Sequence, residues 1–201
     1  MATATRKPGA TSAKRASSTA KTQATTTVRP RRAPAAPAVQ EATALLKADH
    51  KLVSNLFDQY EGTRSTARKK ALVANICREL GIHAKAEEEI FYPAVKAALK
   101  DKEMVPEAIV EHASLKELMA QVEGKEPDGE MFDAKIKVLS EYVKHHVKEE
   151  ETEMFPKARK TKLDMKALGA RIAARKDELK ASWPASEDKS GLLARVVEAA
   201  S

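Results

Sequence analysis

His83-Ala-Lys-Ala-Glu87-Glu-Glu-Ile-Phe-Tyr-Pro93 and, 63 residues further on, His146-Val-Lys-Glu-Glu150-Glu-Thr-Glu-Met-Phe-Pro156 are two versions of one design. The His, the Glu four residues later, the Glu after that and the Pro all coincide. Upstream, Asp49-His50 aligns with Glu111-His112 and Leu56-Phe57 with Leu118-Met119 at an offset of 62. The chain therefore reads as two helical hairpins of the same plan.

Apolar spacing supplies the helices. Leu46, His50, Val53, Phe57 and Tyr60 alternate in steps of four and three, as one buried helical face requires. Leu72, Ile76, Leu80, His83, Glu87 and Ile90 mark a second helix after a break at Gly62 and Thr63. Val105, Ala108, His112, Leu115, Met119 and Val122 mark a third, which follows Pro106 or takes it into its first turn. A turn over 124–129 precedes a fourth, with Phe132, Ile136, Leu139, Val143, His146 and Glu150 on its stripe. Pro93 and Pro156 are expected to bend these helices or end their regular part. Four helices of similar length with short connections predict an all-α fold, an antiparallel up-down four-helix bundle.

The bundle is expected over residues 41–160. Residues 161–201 add an Ala- and Lys-rich helix around 164–180 that looks peripheral, then a segment over 191–200 that says little. Residues 1–40 hold Arg6, Lys7, Lys14, Arg15, Lys21, Arg29, Arg31 and Arg32 and no acid, so removing that +8 from the net +7 leaves −1 for the remainder. The basic character belongs to a tail rich in Ala, Thr, Ser and Pro, which has too few large apolar residues to order itself. A weak polyanion- or DNA-binding arm, an organellar transit peptide and a solubilising tail all fit it. The single cysteine, Cys77, rules out an intramolecular disulfide and any cysteine-based metal cluster, and is expected to be a small buried apolar residue. No apolar run approaches a membrane span or a signal peptide, so the chain reads as soluble, cytoplasmic and without a membrane partner.

The chemistry lies on the apolar stripes. Each hairpin supplies one His from its first helix and a His-x-x-x-Glu pair from its second. Residues four apart point the same way from adjacent turns. His50, His83, Glu87, His112, His146 and Glu150 are thus aimed at the bundle axis. Burying two uncompensated carboxylates there would cost several kcal/mol each, roughly. A metal-free rival pairs His50 with Glu87 and His112 with Glu150, but the duplicated spacing is what a symmetric dinuclear site requires. Four imidazoles and two carboxylates without a thiolate suit iron, manganese or zinc, and a carboxylate-bridged pair favours iron. Of the other acids, Glu88, Glu89, Glu149, Glu151 and Glu153 are expected mostly on solvated faces, and Glu111 is placed to hydrogen-bond a ligand imidazole.

With His50, His83-x-x-x-Glu87, His112, His146-x-x-x-Glu150 and the closing Phe91-Tyr-Pro93 and Met154-Phe-Pro156, residues 41–160 resemble the HHE cation-binding branch of the hemerythrin family. The resemblance implies two non-haem iron ions, bridged by carboxylate and oxo groups, that bind dioxygen, sense oxygen or redox state, or respond to nitric oxide or peroxide in stress response or iron-sulfur repair. The family's oxygen carriers place a further His four residues after the one on the third helix, where this chain has Lys116. Their fourth helix spaces His and carboxylate five apart, which makes His145 an alternative ligand to His146. Two imidazoles per iron, two bridging carboxylates and a solvent-derived bridge leave each iron about one ligand short of octahedral, which favours peroxide, nitric oxide or metal-release chemistry over reversible oxygen carriage. A different reading makes the basic arm the working part of a nucleic-acid-associated protein, with the bundle as its redox or oxygen sensor.

Overall fold

The computed structural model describes residues 40–100 and 102–184, and every regular element among them is helical. The tail expected over 1–40 lies outside the described residues except for Gln40, as does the 191–200 segment. Helices α1 (Ala42–Glu61) and α2 (Thr66–Ala86) form the first hairpin, and α4 (Met104–Val122) and α5 (Gly129–Glu149) the second. Ser65 starts α2 by accepting a hydrogen bond from the Arg68 N–H, which satisfies one of the donors a helix leaves exposed at its start. Gly124 and Gly129 bracket the α4–α5 turn with φ of 70° and 78°, a left-handed backbone that glycine adopts without a Cβ penalty.

The helices of the second limbs do not end at the prolines. A π-turn, Glu87–Phe91, follows α2 and runs on into α3 (Tyr92–Leu99), and a second, Glu150–Met154, joins α5 to α6 (Phe155–Arg159). Tyr92 and Phe155 donate their N–H groups five residues back, to Glu87 and Glu150. Pro93 and Pro156 fall in the first turn after these wider loops, where the missing N–H and the proline ring disturb the i−4 ladder least. Each π-turn begins at the Glu of a His-x-x-x-Glu pair.

Four helices pack around one axis with two apolar layers. Val53, Phe57, Ile76, Met119, Ile136 and Leu139 fill one end. Leu46, Phe91, Tyr92, Val95, Met154, Phe155 and Ile172 fill the other. The buried His and Glu residues form a polar layer between them, because His50, His83 and His112 each sit one helical step from both layers, and His146 and Glu150 fill the steps between Val143 and Met154. Burying each large apolar side chain contributes roughly 1.5–3 kcal/mol, which holds that layer in place from both sides. Cys77 is buried in the first apolar layer.

Helix α7 (Met165–Ser182) starts at Asp164, whose carboxylate accepts from the Lys166 and Ala167 N–H groups at 3.0 and 2.9 Å. It packs on α1, α2 and the first π-turn. Gly169 makes this approach possible, since a Cβ there would lie 2.2 Å from the Gln40 carbonyl oxygen. As expected, the helix packs on the outside of the bundle and buries Leu168, Ile172 and Leu179. Lys176 of α7 is 5% exposed and reaches Asp49 in the interior, because the close approach at Gly169 carries the helix onto the bundle.

Candidate metal centre

The six side chains read from the repeat converge in the polar layer. His50, His83, His112 and His146 are at most 7% exposed, and Glu87 and Glu150 at most 1%. The Nε2 atoms point inward in pairs, with His50 and His83 3.2 Å apart and His112 and His146 3.0 Å apart. Glu87 Oε2 lies 3.0 Å from His83 Nε2 and 3.6 Å from His112 Nε2, so this carboxylate serves both hairpins. Glu150 Oε2 does the same, 3.2 Å from His50 and 3.6 Å from His146. These crossings differ from the metal-free pairing of His50 with Glu87 and His112 with Glu150.

Each outward-facing Nδ1 is held by its own carboxylate. His50 meets Glu151 at 2.9 Å, His83 meets Asp49 at 3.3 Å, His112 meets Glu88 at 2.9 Å and His146 meets Glu111 at 2.6 Å. An ionised carboxylate only accepts, so it draws a ring proton to Nδ1 and leaves the Nε2 of a neutral ring as an acceptor turned inward. Glu88 and Glu151 were expected on solvated faces and are instead partly buried against imidazoles, because the π-turns swing the residue after each Glu toward the neighbouring hairpin. Burial opposes ionisation of Asp49, but the His83 N–H and Lys176 more than offset it and hold its carboxyl below the usual range. Glu88 is held low in the same way by His112 and Lys116.

The interior is thus crowded with acceptors. Both oxygens of Glu87 and Oε2 of Glu150 are fully buried without a hydrogen bond, a costly state unless a cation lies among them. His50, His83, Glu87 and Glu150 form one group, and Glu87, His112 and His146 another, with all donor atoms of each group within 4.8 Å of one another. Such imidazole and carboxylate donors fit a divalent cation of intermediate softness. In the metal-free chain a proton takes part of this role: burial disfavours charge on His83, yet Glu87 and Asp49 overcome it and push the ring's pKa up to about 10. Glu150 is driven down to about 2, since His50, His146 and His83 outweigh its burial.

The two halves are not equivalent. The Tyr92 hydroxyl donates to Glu150 Oε1 at 2.9 Å and lies 3.2 Å from His112 Nε2 and 3.4 Å from His146 Nε2. Burial, with Glu87 and Glu150 close by, raises its pKa well above that of a free phenol, so it keeps its proton. The matching residue of the second hairpin is Phe155, which stacks on His50 with ring centroids 5.8 Å apart. The sequence reading passed over Tyr92 as a closing residue of the motif. The signal lay in the one polar difference between Phe-Tyr-Pro and Met-Phe-Pro. A cavity of about 20 Å³, walled by Val53, Leu80, Leu115 and Met119, adjoins the four imidazoles and has room for a diatomic or a water-sized molecule only.

His145 does not join the cluster. Its ring is 64% exposed and turned outward, to Glu149 at 3.2 Å and Glu111 at 3.5 Å, because it precedes His146 by one residue and falls about 100° away around the helix. Lys116 is buried, and both Glu88 oxygens accept from its ammonium at 2.8 Å, so it adds no donor atom to the cluster.

Among solved structures, the fold is similar to that of a hemerythrin HHE cation binding domain-containing protein from Mycobacterium kansasii. The TM-score is 0.61, the identity 24%, and the match covers 71% of this chain and 89% of that one. Among curated proteins, a DNA nickase from Nostoc sp. is 27% identical over 111 residues, which is 55% of this chain and 31% of the relative's length. No helix among the described residues is long and apolar enough to cross a membrane. The family model for the hemerythrin HHE cation binding domain matches residues 41–158, more than half of the chain, and the chain belongs to that family.

Proposed function

We propose that His50, His83, Glu87, His112, His146 and Glu150 hold two iron ions and that this centre binds or responds to dioxygen, nitric oxide or peroxide, in stress response or iron-sulfur repair. One observation carries the reading: two groups of buried donors share Glu87, whose carboxylate is fully buried between His83 and His112. A carboxylate common to two donor groups is the disposition that bridging requires. The ions supply Lewis acidity and a redox couple when bound. The chain's own residues do the rest. The four outer carboxylates orient the imidazoles, the apolar layers exclude bulk water, and Tyr92 holds a proton at Glu150 Oε1, within reach of an oxygen-bearing ligand. The cavity size favours a diatomic or peroxide over an organic substrate.

Lys116 stands where the family's oxygen carriers have a further His, and it is committed to Glu88. The proposal is therefore reaction or sensing, not carriage. Mixing the anaerobic, reduced, iron-loaded protein with dioxygen tests this by visible absorption. A single oxidation that does not reverse under vacuum is expected; repeated reversible oxygenation would contradict the reading.

A second reading rests on the similarity to a DNA nickase together with the eight basic residues of 1–40. On it the chain associates with nucleic acid through that arm and the bundle senses redox state. Deleting residues 1–40 separates the two. Loss of DNA affinity and of its salt dependence, with metal content retained, supports it; unchanged DNA affinity, or none in the full chain, removes it.

A further inference from the structure

The four carboxylates that hold the imidazoles differ in what stands behind them. Glu151 is backed by Lys47 at 3.2 Å, Glu88 by Lys116 at 2.8 Å and Asp49 by Lys176. Glu111 has no lysine or arginine partner among the described residues. Its Oε2 accepts from His146, and its Oε1 faces His145, which in turn faces Glu149. Glu111, His145 and Glu149 together place three ligand atoms within 4.8 Å of one another.

The repeat makes this asymmetry informative. Asp49 and Glu111 are equivalent positions, as are Ile82 and His145. On the first hairpin α7 covers this region and delivers an ammonium, and Ile82 is fully buried. On the second hairpin the same region carries an exposed imidazole and two carboxylates. One flank of the polar layer is sealed by positive charge, and the other lies open and negative.

A cleft continues inward from the open flank. Glu107, Glu111, Glu149 and Glu153 line it, and His146 and Glu150 of the buried cluster lie along its inner wall. Lys157 at its edge is engaged by Glu153 at 3.3 Å. The Glu150 carboxylate there is 1% exposed, and its Oε2 has no hydrogen-bond partner. Carboxylates around a low-dielectric cleft concentrate cations and repel anions. A divalent ion that must shed its water in steps needs oxygen and nitrogen donors at the mouth before it meets those inside.

We propose that Glu111, His145 and Glu149 form an outer divalent-cation site through which metal ions reach and leave the buried centre. The proposal rests on the reading that the buried centre holds metal. Glu111 links the two, with one oxygen turned to the outer site and the other on the ring of His146.

The test follows the loading of Co²⁺ into the full-length chain after removal of metal by chelation, read by stopped-flow visible absorption. The variants are His145→Ala/Glu149→Gln, the single His145→Gln, and Glu130→Gln as an exposed control elsewhere on α5. At low ionic strength the double variant is expected to load about tenfold more slowly or worse, within the range of electrostatic steering, and the single variant to slow in the same direction. The gap should narrow as salt screens the cleft, while the final Co²⁺ count and spectrum of the buried centre stay those of the parent. Because His145 is mostly exposed, folding is not at stake in the single variant. Loading of both variants at the parent's rate overturns the outer site and leaves the buried centre standing. Failure of the parent to bind any Co²⁺ overturns both.

Discussion

His50 and His83 turn their Nε2 atoms toward each other at 3.2 Å while Glu151 and Asp49 hold the opposite nitrogens of the two rings. Two acceptors at that distance repel unless a cation, metal or proton, sits between them. Removing metal should therefore destabilise the fold. Ligand present at about a thousand times its dissociation constant contributes about 4 kcal/mol. For a chain of this size that lowers the melting temperature by roughly 10 °C on chelation. Calorimetry with and without chelator measures it, and coincident melting curves would count against the centre.

Protonation competes with metal. In the metal-free chain His83 has its pKa raised to about 10, so the ring gains an extra proton at neutral pH that an incoming ion must displace. The sign follows: metal affinity weakens as pH falls below about 10, and loading at pH 7 releases protons. The metal-free fold shows the converse. The raised pKa of His83 contributes stability that is fully present below about 6.5 and is lost as pH rises through about 10. Proton release on adding Zn²⁺ to a weakly buffered, metal-free sample should be seen with an indicator dye; a silent dye is the opposing result.

Tyr92→Phe tests the asymmetry between the halves. The repeat already carries Phe155 at the matching position, so the variant should fold and keep its metal content. Without the hydroxyl that meets Glu150, His112 and His146, reaction with peroxide should slow by about a hundredfold, the lower end of what a positioned proton donor contributes. Stopped-flow rates at matched metal content decide it, and an unchanged rate would leave Tyr92 with a packing role only.

Lys176→Met asks whether α7 belongs to the centre. The ammonium is buried against Asp49, which holds His83, and partners of this kind set ligand orientation at a cost of about 10–100-fold in metal affinity when lost. Lys176→Arg should recover most of that affinity. If Lys176→Met binds metal as the parent does, α7 is only a cover.

The bundle and the convergence of six side chains were legible because both follow from one periodicity: residues on the apolar stripe face the axis whatever their chemistry. Two things were hidden. Pro93 and Pro156 read as a bend or as the end of a helix's regular part, because proline breaks an i−4 ladder, and the π-turns that accommodate them leave no composition signal. The outer carboxylates were partly visible. Asp49 and Glu111 each precede a histidine and reach the His of the partner helix, while Glu88 and Glu151 each follow a Glu and reach the other hairpin. The repeat displayed all four, but assigning them to imidazoles needs the twist between helices. Lys176 could not be foreseen, since its burial depends on how closely Gly169 lets α7 approach.

The most direct measurement is the metal content of the full-length protein purified under reducing conditions, beside His83→Ala and His146→Ala. The account predicts about two ions per chain, predominantly iron, falling by one or more in each variant. Fewer than two ions in the parent, or the same content in all three proteins, would contradict it.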